Sequence, residues 1–251
     1  MYDFQKADMW KRISAWLFDF ILIGIVIVGL LWGFAAVFNT DSYLDGYSSA
    51  LEEYKVEFGR EDSMNQEEYD ALSQEAKIKY QQIRSKLWYN HDMLLNLWLL
   101  IASLSITISH FVMEFVIPLI LGNGQTLGKK IFSIGVMRFD GVRITPFVLF
   151  VRSMLGKCTI ETLVPIAMVV MIFFGSIGVV GLAVLAALFL SQVVLVIATK
   201  ERTPIHDRFA QTVTVDMASQ MIFDRPEELL AYKQRIHQEM VNDTKEQDSK
   251  K

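Results

Sequence analysis

Three long apolar blocks set the pattern of the chain. Residues 13–38 (ISAWLFDFILIGIVIVGLLWGFAAVF) are broken only by Ser14 and Asp19, residues 93–121 carry His110 and Glu114, and residues 159–199 hold one charge, Glu161. A helix crosses a bilayer with roughly 20 apolar residues, so the third block is about twice the length of one span. Gly175-Ser-Ile-Gly178 offers a tight turn inside it, and dividing there gives spans at 160–174 and 178–198. The pattern predicts an all-α integral membrane protein with four transmembrane helices. The first run exceeds the 7–15-residue core of a signal peptide, and no small-residue cleavage site follows it. It reads as a retained span.

Between the first two blocks the period changes. Leu44, Tyr47, Leu51, Tyr54 and Phe58 recur at spacings of three and four, one seam of a helix. Gly59-Arg-Glu-Asp-Ser63 interrupts it, Asn65 with Glu68 makes a capping-box pattern, and Tyr69, Leu72, Ala76, Tyr80, Ile83 and Leu87 resume the helical spacing. Residues 39–91 are therefore expected to form a helical-hairpin insert with facing seams. Its charged outer face reads as solvated, or else as a docking surface for a protein partner.

Asp140-Gly141 suits a two-residue type I′ turn, which predicts a small β-hairpin over 136–145 with Phe139 opposite Val142 and Met137 opposite Ile144. Arg138 and Arg143 then share a basic face toward anionic headgroups. Pro146–Cys158 reads as an amphipathic interfacial helix. Asp224 and Pro226 start a last helix, expected to fray into the polar DTKEQDSKK. The organisation is thus 1–38 (amino terminus and first span), 39–91 (insert), 92–223 (the remaining spans and their connections, one domain with 1–38) and 224–251 (helix and disordered tail).

Charge decides the orientation. Lys6, Lys11 and Arg12 precede the first span, six bases against Asp140 fill 122–158, and Lys200, Arg202 and Arg208 follow the last span. Residues 39–91 instead carry 11 acids and 6 bases. By the positive-inside rule, both termini, the β-hairpin and the 122–158 connection are cytoplasmic and the insert is extracytoplasmic. The expected location is the cytoplasmic (plasma) membrane.

Ionisable groups inside a bilayer are expensive and mark function. Asp19 lies seven residues, about 10 Å, beyond Arg12, and Glu114 falls at a similar depth on the second span, with His110 one turn deeper. At 100° per residue Asp92, Asn96, Ser103, Thr107, His110 and Glu114 lie within about 40° of one line. Such a stripe is expected to face the bundle interior or an aqueous cavity. Gln192 sits at comparable depth. In one reading Asp19 and Glu114 pair with Arg152, Lys157 or Arg208, and the hydroxyls serve helix packing. In the other, Asp19, His110 and Glu114 bind a cation or relay protons, because burial draws carboxyl and imidazole pKa values toward neutrality. Gly29 and Gly33 form a GxxxG suited to close helix contact.

Several chemistries are excluded. GNGQTLGKK (122–130) resembles a phosphate loop, but Asn123 replaces the first glycine, Lys130 the Ser/Thr, and a membrane helix rather than a strand precedes it. It reads as a topological anchor. No HExxH, GxSxG or CxxC is present, and the single Cys158 allows no internal disulfide. The chain reads as a non-enzyme with no cofactor and no metal site. A net charge of −4 gives no reason to expect nucleic acid. His206-Asp207-Arg208 reads as a salt-bridge cluster at a helix end.

Lys11-Arg12-Ile-Ser-Ala15-x-x-x-Asp19, Gly124-Gln-Thr-Leu-Gly-Lys-Lys130, Asp140-Gly141, Arg152 and His206-Asp207-Arg208-Phe-Ala-Gln-Thr212-Val occur in an order and spacing that resemble the RDD family of multipass membrane proteins. The resemblance covers nearly the whole chain outside 39–91 and the tail. It implies that Arg12, Asp19 and Asp207 are the arginine and aspartates of the family's name. Family members commonly have a shorter first external loop. The family's biochemical function is poorly defined, and transport, including cation/proton exchange, has been proposed for it. Both the GQTLGKK turn and Asp207 fall just past a span, so Asp207 can pair with Lys129 or Arg152 in a cytoplasmic electrostatic cluster of Arg12, Lys129, Arg152 and Asp207. The leading expectation is transport of a small monovalent cation or proton. Four spans make a thin pathway, which a homodimer would enlarge. The alternative is a membrane scaffold or assembly factor that binds a partner through 39–91.

Overall fold

The computed structural model describes residues 5–60, 63–198 and 203–249; Lys200 and Arg202, used above for orientation, lie outside them. Helices α1 (Met9–Val37), α2 (Thr40–Phe58), α3 (Gln66–Asp70) and α4 (Gln74–Leu121) come first. Then follow α5 (Leu127–Ile131), β1 (Ile134–Arg138), α6 (Pro146–Phe173) and α7 (Gly178–Ala198). The chain closes with α8 (Ile205–Phe209), β2 (Thr212–Asp216) and α9 (Pro226–Ser249). Among the described residues, four helices are long and apolar enough to cross a membrane: α1, α4, α6 and α7. The protein is mostly helical with one small two-stranded sheet. It divides into two compact units, Met1–Gly24 with Thr107–Lys251, and Ile25–Ile106.

In the unit Ile25–Ile106 the aromatic seams meet. Tyr54, Tyr80 and Ile83 are buried against Phe58, Tyr69, Leu72 and Leu87. Asn65 Oδ1 accepts from Glu68 N at 2.9 Å while Glu68 Oε2 accepts from Asn65 N at 2.9 Å, a reciprocal capping box that starts α3. The helix that begins at Gln74 runs without a break through 91–92 into the second apolar block.

In the other unit the turn between the last two spans falls where the glycines predict. Gly175 and Gly178 take positive φ (71° and 45°), and Ser176 N bonds back to Met171 O at 2.8 Å, closing the preceding helix with a left-handed residue.

Four expectations are corrected here. The strand at 134–138 forms its sheet with 212–216, antiparallel, Ile134 opposite Asp216 and Arg138 opposite Thr212. The Asp140-Gly141 turn is a three-residue loop, with Met137 bridging Arg143 rather than Ile144 and Gly141 at φ 88°, because a left-handed glycine after a tight turn shifts the register by one. Pro146–Cys158 is no separate interfacial helix: it continues into the third span, and Arg152, Ser153, Gly156 and Cys158 are buried. The final helix extends to Ser249, since no glycine or proline follows Pro226 to stop it.

The polar stripe also divides. His110 and Glu114 are buried, whereas Asp92, Asn96, Ser103 and Thr107 are exposed. Asn96 donates to Asp92 and Ser103 to the Leu100 carbonyl, so Asp92, Asn96 and Ser103 find hydrogen bonds within their own helix.

Two segments wind more widely than an α-helix. Residues 111–116 and 151–163 are π-helical, with Ile117 N reaching Val112 O and Val164 N reaching Thr159 O. Each is followed by a proline, Pro118 or Pro165, four residues after a glutamate, Glu114 or Glu161. Proline has no N–H to give the carbonyl four residues earlier, which favours the longer-range bonding. At the α-helical 100° per residue, Glu161 would lie roughly 180° from Arg152. The wider turns bring both onto the side that meets α8.

Candidate functional site

The polar core of the larger unit is built on the loops that follow the second and fourth spans. Thr126 caps α5, its Oγ1 accepting from Lys129 N at 3.4 Å and donating to Asp19 Oδ2 at 2.5 Å. Gly128 N donates to Asp19 Oδ1 at 2.8 Å. Both oxygens of a 4%-exposed carboxylate are thereby engaged by uncharged donors. No side chain fits at 128: a Cβ there would stand 2.4 Å from Ala15 O and 3.0 Å from Asp19 Cγ. GQTLGKK is therefore the turn whose backbone docks directly on the first span, with Asp19 as its acceptor.

A second constellation joins α6 to α8. Arg152 Nε donates to Asp207 Oδ1 at 2.6 Å, and both residues are essentially fully buried. Thr212 Oγ1 at 3.0 Å and Thr214 Oγ1 at 3.2 Å complete the carboxylate's partners. Arg152 Nη2 lies 3.2 Å from His206 Nε2, and His206 Nδ1 lies 2.8 Å from Glu161 Oε2. Arginine has no acceptor, so Nε2 must be the unprotonated nitrogen and Nδ1–H must donate to Glu161. The order is carboxylate, neutral imidazole, guanidinium, carboxylate. Burial lowers the His206 pKa, Asp207 raises it, and Arg152 lowers it further, for a net shift downward. Burial would raise the Asp207 carboxyl, but the Arg152 guanidinium holds it well below the ordinary carboxylate range. Glu161 and Gln192 also cap α8, accepting from His206 N at 3.0 Å and Ile205 N at 3.2 Å. Gly156 permits this approach, since a Cβ there would lie 2.6 Å from His206 Cβ.

The third element is unbalanced. Lys157 donates to Glu114 Oε1 in a short ion pair, while Glu114 Oε2 is buried without a partner. Lys129 Nζ is likewise buried and unpartnered, although its stem is partly exposed. Burial first, then the neighbouring Arg152 and Lys157, bring the Lys129 ammonium down to about 7, against the opposing pull of Glu114 and Asp207. His110 Nε2 lies 3.4 Å from Thr162 Oγ1.

These groups converge on a cavity of about 220 Å³, whose polar lining includes Arg12, Asp19, Lys129, Arg152, Lys157 and Asp207, with Met9, Ile13 and Trp16 on its apolar side. All four members of the expected electrostatic cluster line it, and Asp19 joins them. His110 and Glu114 are not among the lining residues.

The model of the RDD family matches residues 6–211. The chain belongs to the RDD family. No curated protein and no solved structure matches it.

In this RDD protein Asp19 and Asp207 have different partners. Asp19 accepts a backbone N–H and a hydroxyl from the GQTLGKK turn, and Asp207 accepts from the Arg152 guanidinium. Of the basic partners considered for the intramembrane carboxylates, Lys157 takes Glu114, none takes Asp19, and Arg208 is exposed. Thr126, Gly128 and Gly156 are essential to this geometry, yet as small residues they carry no periodic signal. Glu161 shows itself in sequence as the one charge of a 41-residue apolar block.

Proposed function

We propose that this RDD protein exchanges a small monovalent cation for protons across the cytoplasmic membrane, its termini on the cytoplasmic side, with Glu114 and Lys157 as the exchanging pair. The reading rests on one observation: a buried carboxylate with one oxygen on an ammonium and the other without a partner. A buried ion pair is stabilised weakly as a pair and strongly destabilised when one partner leaves. A cation reaching Glu114 replaces the Lys157 ammonium, which then releases one proton to water. One positive charge enters the site for each that leaves, so the exchange is electroneutral. His110, one turn from Glu114 on the same helix, relays the proton. Asp19 latches the turn that carries Lys129.

Purified protein in liposomes with an imposed proton gradient provides the test. Addition of sodium, lithium or potassium should collapse the gradient, and Glu114→Gln should abolish this while eluting as the wild-type species on size exclusion. Wild-type liposomes that hold their gradient under all three ions would end the exchange reading.

A further inference from the structure

The cavity on the larger unit is lined by a buried cation that no carboxylate of the described residues pairs. Arg12, Lys129, Arg152 and Lys157 line it with Asp19 and Asp207. Asp207 is committed to Arg152, Thr212 and Thr214, and Asp19 to Thr126 and the Gly128 amide. Lys157 reaches away from these, to Glu114. The Lys129 ammonium is left buried with neither a carboxylate nor a carbonyl on it. An isolated buried ammonium is costly unless it is paired or neutralised, and the cavity beside it has room for a pairing group. Its volume of about 220 Å³ is several times the ~30 Å³ share of one water in the liquid.

The shape of the lining is informative as well. One side is basic. The other is formed by Met9, Ile13 and Trp16 on successive turns at the start of the first span, and Trp16 and Ile13 are exposed on the helix surface. Tryptophan near the end of a span is suited to the headgroup level of a bilayer. A basic pocket flanked by an apolar, interfacial helix face fits a molecule with a phosphate at one end and hydrocarbon at the other.

We propose that this cavity is a binding site for a phosphate group, held by Lys129 within the cavity's basic lining, and that the headgroup of an anionic phospholipid entering past Ile13 and Trp16 supplies it. The site is independent of the exchange reading: it concerns what balances Lys129, not what moves past Glu114. A bound phosphate would hold the GQTLGKK turn against the first span in addition to the Asp19 contacts, making the turn's position dependent on the surrounding lipid.

Native mass spectrometry and thermal melting of the purified full chain in neutral detergent test this, using phosphatidylglycerol, phosphatidylcholine of equal chain length, and inorganic phosphate as probes. Wild type should retain phosphatidylglycerol at least tenfold better than phosphatidylcholine. Lys129→Met should lose that preference, and Lys130→Met, which removes the exposed neighbouring charge, should keep it. Stabilisation by phosphatidylglycerol without a Lys129-dependent effect of inorganic phosphate identifies a lipid headgroup as the occupant. Lys129-dependent stabilisation by inorganic phosphate supports the phosphate site and makes the free anion the occupant. Equal retention of both lipids by wild type, with no phosphate effect, overturns the site. So does an equal loss in Lys129→Met and Lys130→Met, which would mean general surface attraction. The wild-type comparison decides the matter even where Lys129→Met does not fold.

Discussion

Asp19 and Gly128 are joined by a 2.8 Å hydrogen bond from the Gly128 amide to the Asp19 carboxylate, at a point where the backbone of the turn lies against the backbone of the first span. The aspartate supplies the acceptor and the glycine supplies the space. Gly128→Ala would drive a methyl against Ala15 O and Asp19 Cγ. Because backbone cannot yield as a side-chain tip does, a loss of at least about 2 kcal/mol is expected, within the range for overpacked cores. Thermal melting in detergent should show it, and an alanine variant as stable as wild type would contradict the close contact.

The Arg152–Asp207 pair gives a second expectation. Removing one member of a buried pair typically costs about 3–5 kcal/mol, whereas replacing both with apolar groups of similar size is often tolerated. Asp207→Asn and Arg152→Met should each be strongly destabilising, and the double variant should be more stable than the sum of the singles implies. A double-mutant cycle with additive losses would argue against direct coupling.

Lys129 yields a pH dependence with a definite sign. Its folded pKa, about 7, lies below the ordinary 10.5, so between those values the unfolded chain holds a proton that the folded one lacks. Stability contributed through this group therefore rises with pH across that window and is lowest below pH 7. In lipid-free detergent, Lys129→Met should be more stable than wild type at pH 6, and its advantage should shrink toward pH 10. An advantage that does not change with pH would show that the ammonium is not desolvated.

His206 should be neutral, with its proton on Nδ1. Nitrogen chemical shifts of labelled histidine would report that tautomer through neutral pH and below the ordinary midpoint of 6.5, because the folded pKa is lowered. The unfolded chain binds the proton first as pH falls, so this group removes stability below that midpoint. Glu161→Gln keeps an oxygen that can accept Nδ1–H but removes the charge, and should bring the titration still lower. A protonated ring at pH 7 in wild type would break the assignment.

Much of this was open to a reader of the sequence. Three blocks of apolar residues, the last one twice the length of a span, admit few arrangements other than four membrane-crossing helices. The aromatic spacing at Tyr54, Phe58, Tyr69 and Tyr80 specified a packed pair of helices, and Gly175 and Gly178 marked a turn. Those features are local: each is a periodicity or a backbone preference contained within a few residues. The motifs that carry the family resemblance were legible for the same reason, as short runs in a fixed order.

The tertiary structure decided what those motifs touch. Nothing in the spacing says that Asp19 accepts from a glycine amide 109 positions away in the chain, since the signal is the absence of a side chain. The strand at 134–138 takes 212–216 as its main partner, beside the short pairing across Asp140-Gly141, because the sheet buries Met137, Val213 and Val215 together. The face shared by Arg152 and Glu161 was hidden by a change of helical period that 3.6-residue reasoning cannot anticipate. The sequence by itself determined which segments are apolar, helical or turning, because those follow from local chemistry. Which charges meet, and that Lys129 is left without a partner, only the fold decided, because pairing depends on distances set by packing between segments far apart in the chain.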